Sequence, residues 1–210
     1  QAGDSDWHFE ANTELEKVKG TPVLRTERKV VELWDPETGE MFEAEAIQRA
    51  DGRTQVDVQF EPAQSWFVVF RDKPGNQVMR SPFLTWEEVK KIQGPWELEF
   101  DQEWGPDDRQ IFSELQSWSE SSNQLVKYYS GTARYFKDFD MPDPTLAALK
   151  DNETAEIAID LGRVEVMARV TLNGQDCGIV WKPPYRVNIG EALQPGINTL
   201  EIEVVNTWVN

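Results

Sequence analysis

Cysteine and histidine are almost absent from the chain, and this scarcity excludes two kinds of site. Cys177 is the one cysteine among 210 residues, so an internal disulfide is impossible. A structural zinc site built from cysteine and histidine needs about four ligands, and Cys177 with His8 supplies too few. One free thiol is compatible with the cytosol and equally with a secreted protein that avoids cysteine.

Long apolar runs are also missing. No run approaches the roughly 18 apolar residues that a membrane-spanning helix needs, so the sequence predicts no membrane span. The first residues, Gln1-Ala2-Gly3-Asp4, lack the basic region and apolar core of a signal peptide. Removal of a leader and excision of the chain from a longer polypeptide both remain open.

Basic residues are outnumbered by acidic ones, 21 to 38, which gives a formal net charge of −17. This charge repels phosphate backbones and anionic lipid surfaces, so nucleic acid is not expected as a partner. An acidic surface suits a neutral ligand, although solubility alone explains it equally well. With 39% hydrophobic and 28% charged residues, the chain has the composition of a soluble globular protein of one large domain or one and a half.

Short strands and turns dominate residues 29–70. The segment Asp35-Pro36-Glu37-Thr38-Gly39 combines a proline that presets φ with a glycine that accepts positive φ. Asp51-Gly52 is the central pair of a tight hairpin. Apolar residues alternate or run continuously between these turns, which predicts strands at Val30–Trp34, Met41–Ile47, Val56–Phe60 and Trp66–Phe70. We therefore predict an N-terminal β-rich segment over residues 1–75.

Residues 76–93 are predicted to form a linker with a short helix. Pro74 and Gly75 precede it among polar residues. Thr85 followed three positions later by Glu88 matches a capping box, and Gly94-Pro95 ends the helical pattern. One or two helical turns are expected over residues 85–92.

Regular short strands over residues 94–210 predict a jelly-roll sandwich. Trp96, Leu98 and Phe100 alternate with acidic residues, as on a strand with one buried face. Asn173-Gly174 favours a type I′ hairpin, and Pro195-Gly196 favours a type II turn. Further strands are predicted at Val126–Phe139, Glu156–Leu161, Val164–Leu172, Gly178–Trp181, Tyr185–Ile189 and Thr199–Val205. The predicted fold class is all-β: a jelly-roll β-sandwich preceded by a smaller β-sheet segment and a short helical linker.

Several motifs in this order and spacing carry a family resemblance. They are Gly94-Pro95-Trp96-Glu97-Leu98, Lys127-Tyr128-Tyr129-Ser130-Gly131-Thr132-Ala133-Arg134-Tyr135, Val170-Thr171-Leu172-Asn173-Gly174, Trp181-Lys182-Pro183-Pro184-Tyr185 and Asn206-Thr207-Trp208. Together they resemble the C-terminal region of glycoside hydrolase family 106, the α-L-rhamnosidase-like enzymes of polysaccharide-degrading bacteria. More loosely, they are similar to the galactose-binding-domain-like jelly roll of family 2 hydrolases. Glu32–Gly39 and Ser65–Phe70 resemble the β-sheet segment that precedes the jelly roll in family 106.

The resemblance implies a module and not a complete enzyme. In the family the catalytic carboxylates belong to a large barrel-type domain, and no part of this sequence resembles a barrel. The implied function is a non-catalytic, carbohydrate-binding-like or structural module of a secreted hydrolase, packed against a catalytic domain, in the periplasm or outside a bacterial cell. Two alternatives remain open: a free-standing glycoside hydrolase, and a protein–protein interaction sandwich. With 38 acidic residues a carboxylate pair can always be imagined, so no catalytic residue is assigned.

Aromatic residues are the best candidates for contact with sugar, because a pyranose stacks its C–H face on a ring. Most of the nine tryptophans are expected in the core. Trp181 differs, since it ends a strand and precedes the stiff pair Pro183-Pro184, which would hold it beside Lys182 and Tyr185. The loop is a candidate ligand site, and the alternative is that the prolines only shape a connection.

A second candidate patch contains Tyr128 and Arg134. Strand alternation over Val126–Phe139 places both on one face and Tyr129 with Tyr135 on the other, so one pair is expected in the core. We therefore predict Trp181, Lys182, Tyr185, Tyr128 and Arg134 as ligand-binding residues.

Three aspartates cluster near a predicted turn. Asp138, Asp140 and Asp143 carry the oxygen ligands that calcium prefers, so they are the candidate ligands of a structural calcium ion. A solvated acidic loop explains the same cluster.

Overall fold

The computed structural model describes residues 5–75, 83, 85–151 and 156–207. The chain divides into two compact units, Gln1–Glu87 and Glu88–Asn210, which we call unit 1 and unit 2. Antiparallel strands form most of the regular structure in both units, which confirms the all-β prediction. Within the described residues no helix has the length and apolarity needed to cross a membrane.

Unit 1 consists of short antiparallel strands. Its sheets have the strand orders β1-β9-β4-β5, β3-β7-β6 and β2-β8. Its buried core includes Leu33, Trp66 and Phe70. The strand bounds are β1 Ser5–Ala11, β2 Val18–Gly20, β3 Val23–Arg25, β4 Val30–Trp34, β5 Met41–Glu43, β6 Ala46–Gln48, β7 Arg53–Val56, β8 Val58–Phe60 and β9 Ser65–Arg71.

The predicted turns of unit 1 are present. Gly39 has a φ of +75° and donates its backbone N–H to the carbonyl of Asp35 at 2.9 Å, which closes the turn between β4 and β5. Strand β1 carried no sequence signal, yet it pairs with β9 along its whole length, from Ser5↔Arg71 to Ala11↔Ser65. This partner lies about sixty residues away in sequence, so no local pattern reveals the pairing.

A buried carboxylate stabilises the four-stranded sheet of unit 1. Glu32 on β4 is fully buried, and its carboxylate accepts hydrogen bonds from Trp34 Nε1 at 2.8 Å and from the Gly75 backbone N–H at 2.6 Å. The Arg71 guanidinium lies 3.7 Å from the same carboxylate. Both carboxylate oxygens of the fully buried Glu32 therefore have hydrogen-bond donors.

The expected linker helix is wrong where the structure describes it. Residues 85–93 have no helical hydrogen bonding, and residues 76–82 and 84 lie outside the described residues. Only Trp86 and Ile92 of this stretch are half-buried, while its other side chains are exposed. Helices shorter than about 12 residues are marginal in water unless an apolar face is packed, and this segment packs too little of one.

Unit 2 is a sandwich around one core. A six-stranded antiparallel sheet has the order β11-β10-β12-β17-β14-β15, and a two-stranded sheet pairs β13 with β16. Buried side chains of both sheets and of the helices join one hydrophobic cluster, which includes Leu98, Leu146 and Val187. The elements are β10 Trp96–Phe100, β11 Gln110–Phe112, a 3-10 helix Trp118–Glu120, α1 Gln124–Lys127, β12 Thr132–Met141, α2 Asp143–Lys150, β13 Ala158–Asp160, β14 Met167–Leu172, β15 Gln175–Val180, β16 Arg186–Asn188 and β17 Gly196–Val205.

The predicted strand Val126–Phe139 is wrong at its beginning. Residues 124–127 form α1, and β12 starts only at Thr132. Asn123 accepts a hydrogen bond from the Leu125 backbone N–H at 3.0 Å, which is the side-chain cap of a helix start. Val126 is fully buried by this turn, so core packing decides the local conformation against the strand pattern.

Two buried polar residues link elements of unit 2. Asn198 on β17 accepts hydrogen bonds from Asn173 Nδ2 at 2.8 Å and the Gln194 backbone N–H at 2.9 Å, and it donates to the carbonyls of Gln194 and Gly196. Asn198 therefore ties the Asn173-Gly174 hairpin to the turn before β17.

Tyr135 on β12 is a further buried polar residue of unit 2. Its hydroxyl accepts a hydrogen bond from Trp118 Nε1 at 2.6 Å. Burial raises the pKa of the Tyr135 phenol to about 12.

The edge strand β15 contains a β-bulge. Thr171 is opposite Asp176 and Val170 is opposite Gly178, so Cys177 faces no residue of β14. Gly178 has a φ of +119°, and its backbone N–H donates to Asp176 Oδ1 at 3.0 Å. The bulge therefore interrupts the ladder and uses a side chain to satisfy an edge amide.

Candidate functional site

One end of the six-stranded sheet collects the connections that carry the candidate aromatic residues. Strands β10, β15 and β17 end there and β12 and β14 begin there, as the pairs Phe100↔Ala133, Thr132↔Val205, Met167↔Val205 and Ala168↔Val180 show. The three segments 101–105, 128–131 and 181–185 follow or precede these strand ends. We call these three segments the loop end.

The segment 181–185 presents one exposed ring and two half-buried side chains. Trp181 is 61% exposed. Lys182 is half-buried, and Tyr185 is half-buried against the core of unit 2. The Tyr185 carbonyl accepts a hydrogen bond from the Leu161 backbone N–H at 2.9 Å, which fixes the far side of the loop. Trp181 is therefore the residue of this loop that is most available to a ligand.

The segment 128–131 presents Tyr128 and buries Tyr129. Tyr128 is 69% exposed at the end of α1, and the Lys127 ammonium lies 5.9 Å from the centroid of its ring. The Tyr129 hydroxyl donates to the Thr132 carbonyl at 2.8 Å and accepts from the Asp101 backbone N–H at 3.1 Å. Burial raises the pKa of Tyr129. The predicted division of the two tyrosines between solvent and core is therefore right, although a helix end and not strand alternation produces it.

Asn206 fixes this segment to the end of β17. Its side chain accepts a hydrogen bond from the Gly131 backbone N–H at 2.8 Å and donates to the Tyr129 carbonyl at 3.0 Å. Ser130 Oγ donates to the carbonyl of Thr207 at 3.1 Å. These bonds hold the backbone from Tyr129 to Gly131, so Tyr128 directly precedes a fixed turn.

Trp104 is a member of the loop end that the sequence analysis missed. It is 70% exposed, and its backbone N–H donates to the Asp101 carbonyl at 3.2 Å in the turn after β10. A Cβ on the next residue, Gly105, would lie 2.6 Å from the Cβ of Phe100 and 3.1 Å from the Tyr129 ring. Only glycine fits this close approach. It brings the turn that contains Trp104 into contact with Tyr129, the residue after Tyr128. The available signal was an aromatic residue in a polar turn just before Gly105-Pro106.

Arg134 lies on the outer face of the sheet, where it is part of a row of alternating charges. Its guanidinium is 3.3 Å from the carboxylate of Glu99, and it is directly opposite Glu203 on β17, which in turn is opposite Arg169. Arg109 extends the row with ion pairs to Glu99 and to the neighbouring Glu97, and these hydrogen bonds raise the pKa of Arg109. Arg134 therefore serves the sheet face, and its role toward a ligand stays a prediction.

The three aspartates are not brought together as a set of metal ligands among the described residues. Asp138 and Asp140 are exposed on β12, and Asp143 is exposed at the start of α2. Among the residues that the structure describes, these included, no three histidine, cysteine, aspartate or glutamate side chains are placed to hold a metal ion. The arrangement gives the calcium prediction no geometric support.

A shallow hollow of about 210 Å³ lies beside β11 and the 3-10 helix. Its lining has one ionisable side chain, Glu114, among polar and apolar residues. Glycoside hydrolysis normally uses two carboxyl groups facing one pocket. This hollow therefore lacks the groups for that chemistry.

Comparison with known proteins finds similarity to parts of much longer chains. No protein-family model matches it. Over its whole length it superposes on a rhamnosidase from Novosphingobium sp. PP1Y with a TM-score of 0.81 and 31% identity. Over 119 residues it is 40% identical to a protein of Formosa agariphila named "Putative beta-glucuronidase". The chain is related to glycoside hydrolases. It spans 19% of the rhamnosidase and 10% of the second relative.

Proposed function

We propose that the chain is a non-catalytic module of a longer, secreted, α-L-rhamnosidase-like hydrolase of family 106, located in the periplasm or outside a bacterial cell. The observation that carries the proposal is the likeness of the whole chain to one fifth of a rhamnosidase, at 31% identity. The relatives support the proposal, because this chain corresponds to only a small part of each of their much longer chains. The single ionisable group in the hollow beside β11 agrees with a module that does no bond chemistry.

Within that role, the sandwich of unit 2 contacts glycan through Trp181. The exposed indole offers an apolar face to the C–H face of a pyranose, and the neighbouring Lys182 and Tyr185 supply polar groups at the same loop. Pro183-Pro184 limits the backbone freedom between them, which lowers the entropy lost on binding.

Two assays on the purified chain test this function. In the first, we expect no release of nitrophenol from aryl α-L-rhamnoside or aryl β-D-glucuronide. If the chain releases nitrophenol, and replacement of one carboxylate by its amide abolishes this release, the chain is a free-standing hydrolase instead.

The second assay measures binding on an array of plant and bacterial glycans. We expect Trp181→Ala to weaken binding, and Ile111→Ala, which removes an equally exposed apolar side chain from β11, to leave it unchanged. If the two variants bind every glycan alike, the sugar contact at Trp181 is refuted.

An exposed aromatic face in unit 1 favours protein contact as a second candidate function. Trp7 and Phe9 on β1 are exposed beside Phe67 and Trp34, with ring centroids 4.7 Å apart for Trp7–Trp34 and 5.2 Å for Phe9–Phe67. The Trp7–Trp34 pair is edge-to-face, an arrangement typical of packed protein interfaces and cores. A stable dimer of the chain that Phe9→Ser dissociates, together with no glycan binding, would support this alternative.

A further inference from the structure

The exposed aromatic residues of unit 2 are confined to one place. Among its described residues, three aromatic side chains are classed as exposed: Trp104, Tyr128 and Trp181. All three belong to the loop end, while the other aromatic rings that the structure describes in this unit are buried or half-buried. Solvation alone does not explain why exposed rings gather at one end of a sandwich.

We infer that Trp104, Tyr128 and Trp181 form one row of stacking positions that binds an uncharged oligosaccharide of at least three sugar rings. The inference deepens the proposed function and rests on it, because Trp181 is the glycan contact proposed above. It adds two further contacts and the length of the ligand.

The order of the strands sets the length of the row. Tyr128 precedes β12 and Trp181 follows β15, and these strands are separated by β17 and β14. Neighbouring strands lie about 4.8 Å apart, so β12 and β15 are about 14 Å apart. Strand β10, which ends just before the turn of Trp104, adds one further step. A single sugar ring stacked on Trp181 cannot reach the other two positions. Only a chain of several sugars can use the whole row.

The row is also held in place before any ligand arrives. The Tyr129 hydroxyl links the turn of Trp104 to β12 through its bonds with Asp101 and Thr132, and Asn206 fixes the turn of Tyr128. Because these turns are already ordered, little conformational entropy remains to be lost on binding.

Charge selects the type of sugar chain. The formal net charge of −17 on the whole chain disfavours an acidic polysaccharide. At the loop end itself, the carboxylates of Asp101 and Glu103 are balanced by the ammonium groups of Lys127 and Lys182. An uncharged oligosaccharide meets no such repulsion.

Calorimetry with oligosaccharides of one to six residues, prepared from the best glycan on the array, tests the inference. We expect affinity to rise until the ligand has at least three residues. Trp104→Ala and Tyr128→Ala should each weaken binding of the longer ligands by about tenfold and leave the monosaccharide unaffected, since one stacking contact is removed. Trp104→Phe should restore most of the loss, because it keeps a ring.

Two controls accompany the tryptophan and tyrosine variants. Ile111→Ala is the matched control for the removal of exposed apolar surface, and thermal unfolding checks that each variant is folded.

The row is refuted if affinity does not depend on the length of the oligosaccharide, or if Trp104→Ala binds as Ile111→Ala does. In either case, weaker binding by Trp181→Ala still supports the proposed glycan contact. Tighter binding of oligogalacturonides of equal length would refute the uncharged ligand. If the wild-type chain binds no glycan on the array, the inference and the proposed contact both fail.

Discussion

Removal of the Tyr129 hydroxyl should destabilise unit 2 although the change deletes a single oxygen. Tyr129 is 2% exposed, and its hydroxyl satisfies both the Asp101 N–H and the Thr132 carbonyl. In Tyr129→Phe the ring still packs against Phe100 and Trp118, whose centroids lie 4.9 and 5.6 Å away. The two hydrogen-bond partners belong to Asp101, which is exposed, and to Thr132, which is half-buried, so the expected cost is that of two net hydrogen bonds. We expect the free energy of unfolding to fall by about 1 to 3 kcal/mol.

Urea denaturation followed by tryptophan fluorescence measures this change. The chain has two compact units, so the curves are tested for more than one transition, and the transition that Tyr129→Phe shifts is compared between variants. Tyr128→Phe is the matched control, because the neighbouring tyrosine is 69% exposed and its loss of a hydroxyl should cost less than about 0.5 kcal/mol. If both variants have the stability of the wild type, the two hydrogen bonds do not hold the loop end together and the reasoning is wrong.

Three further predictions concern buried polar groups. Burial raises the pKa of the Tyr135 phenol from 10.0 to about 12, so folded unit 2 keeps a proton that the unfolded chain releases. The free energy of unfolding should therefore fall as pH rises from about 10 to about 12. Tyr135→Phe should remove this pH dependence in alkaline unfolding curves. Glu32→Ala should destabilise unit 1 by about 2 to 4 kcal/mol in denaturant unfolding, whereas Glu43→Ala, at an exposed position, should change stability by less than about 0.5 kcal/mol. Asn198→Ala should lower the free energy of unfolding of unit 2 by about 2 to 5 kcal/mol in denaturant unfolding, because four hydrogen bonds are lost. Asn188→Ala, at an exposed position, should change it little. Equal effects of the two variants would show that water replaces the four hydrogen bonds of Asn198.

Features encoded by neighbouring residues were predictable from the sequence. Alternation located β10 at Trp96–Phe100, and both Asn173 and Gly174 have the positive φ of a type I′ hairpin. These signals depend on a few adjacent residues, so no tertiary contact is needed to interpret them. The exposure of Trp181 at the end of β15 was predictable for the same reason.

Features that depend on distant partners were not predictable. Thr85 and Glu88 form a capping pattern, but a helix there lacks an apolar surface to pack against, which the pattern does not reveal. Trp104 gains its place at the loop end only because Gly105 approaches the Tyr129 ring, a contact between residues 24 positions apart. The sequence analysis therefore named two of the exposed rings, Tyr128 and Trp181, and missed Trp104.

The bulge in β15 affects whether sheets of neighbouring molecules can pair edge to edge. A regular edge strand offers a continuous set of amides and carbonyls to any strand of a neighbouring molecule, which is how sheets grow into aggregates. In β15 the extra residue Cys177 breaks that set, and the Asp176 carboxylate occupies the Gly178 amide. A strand of a neighbouring molecule would therefore find a poor template at the β15 edge, and growth of the sheet from this side is disfavoured.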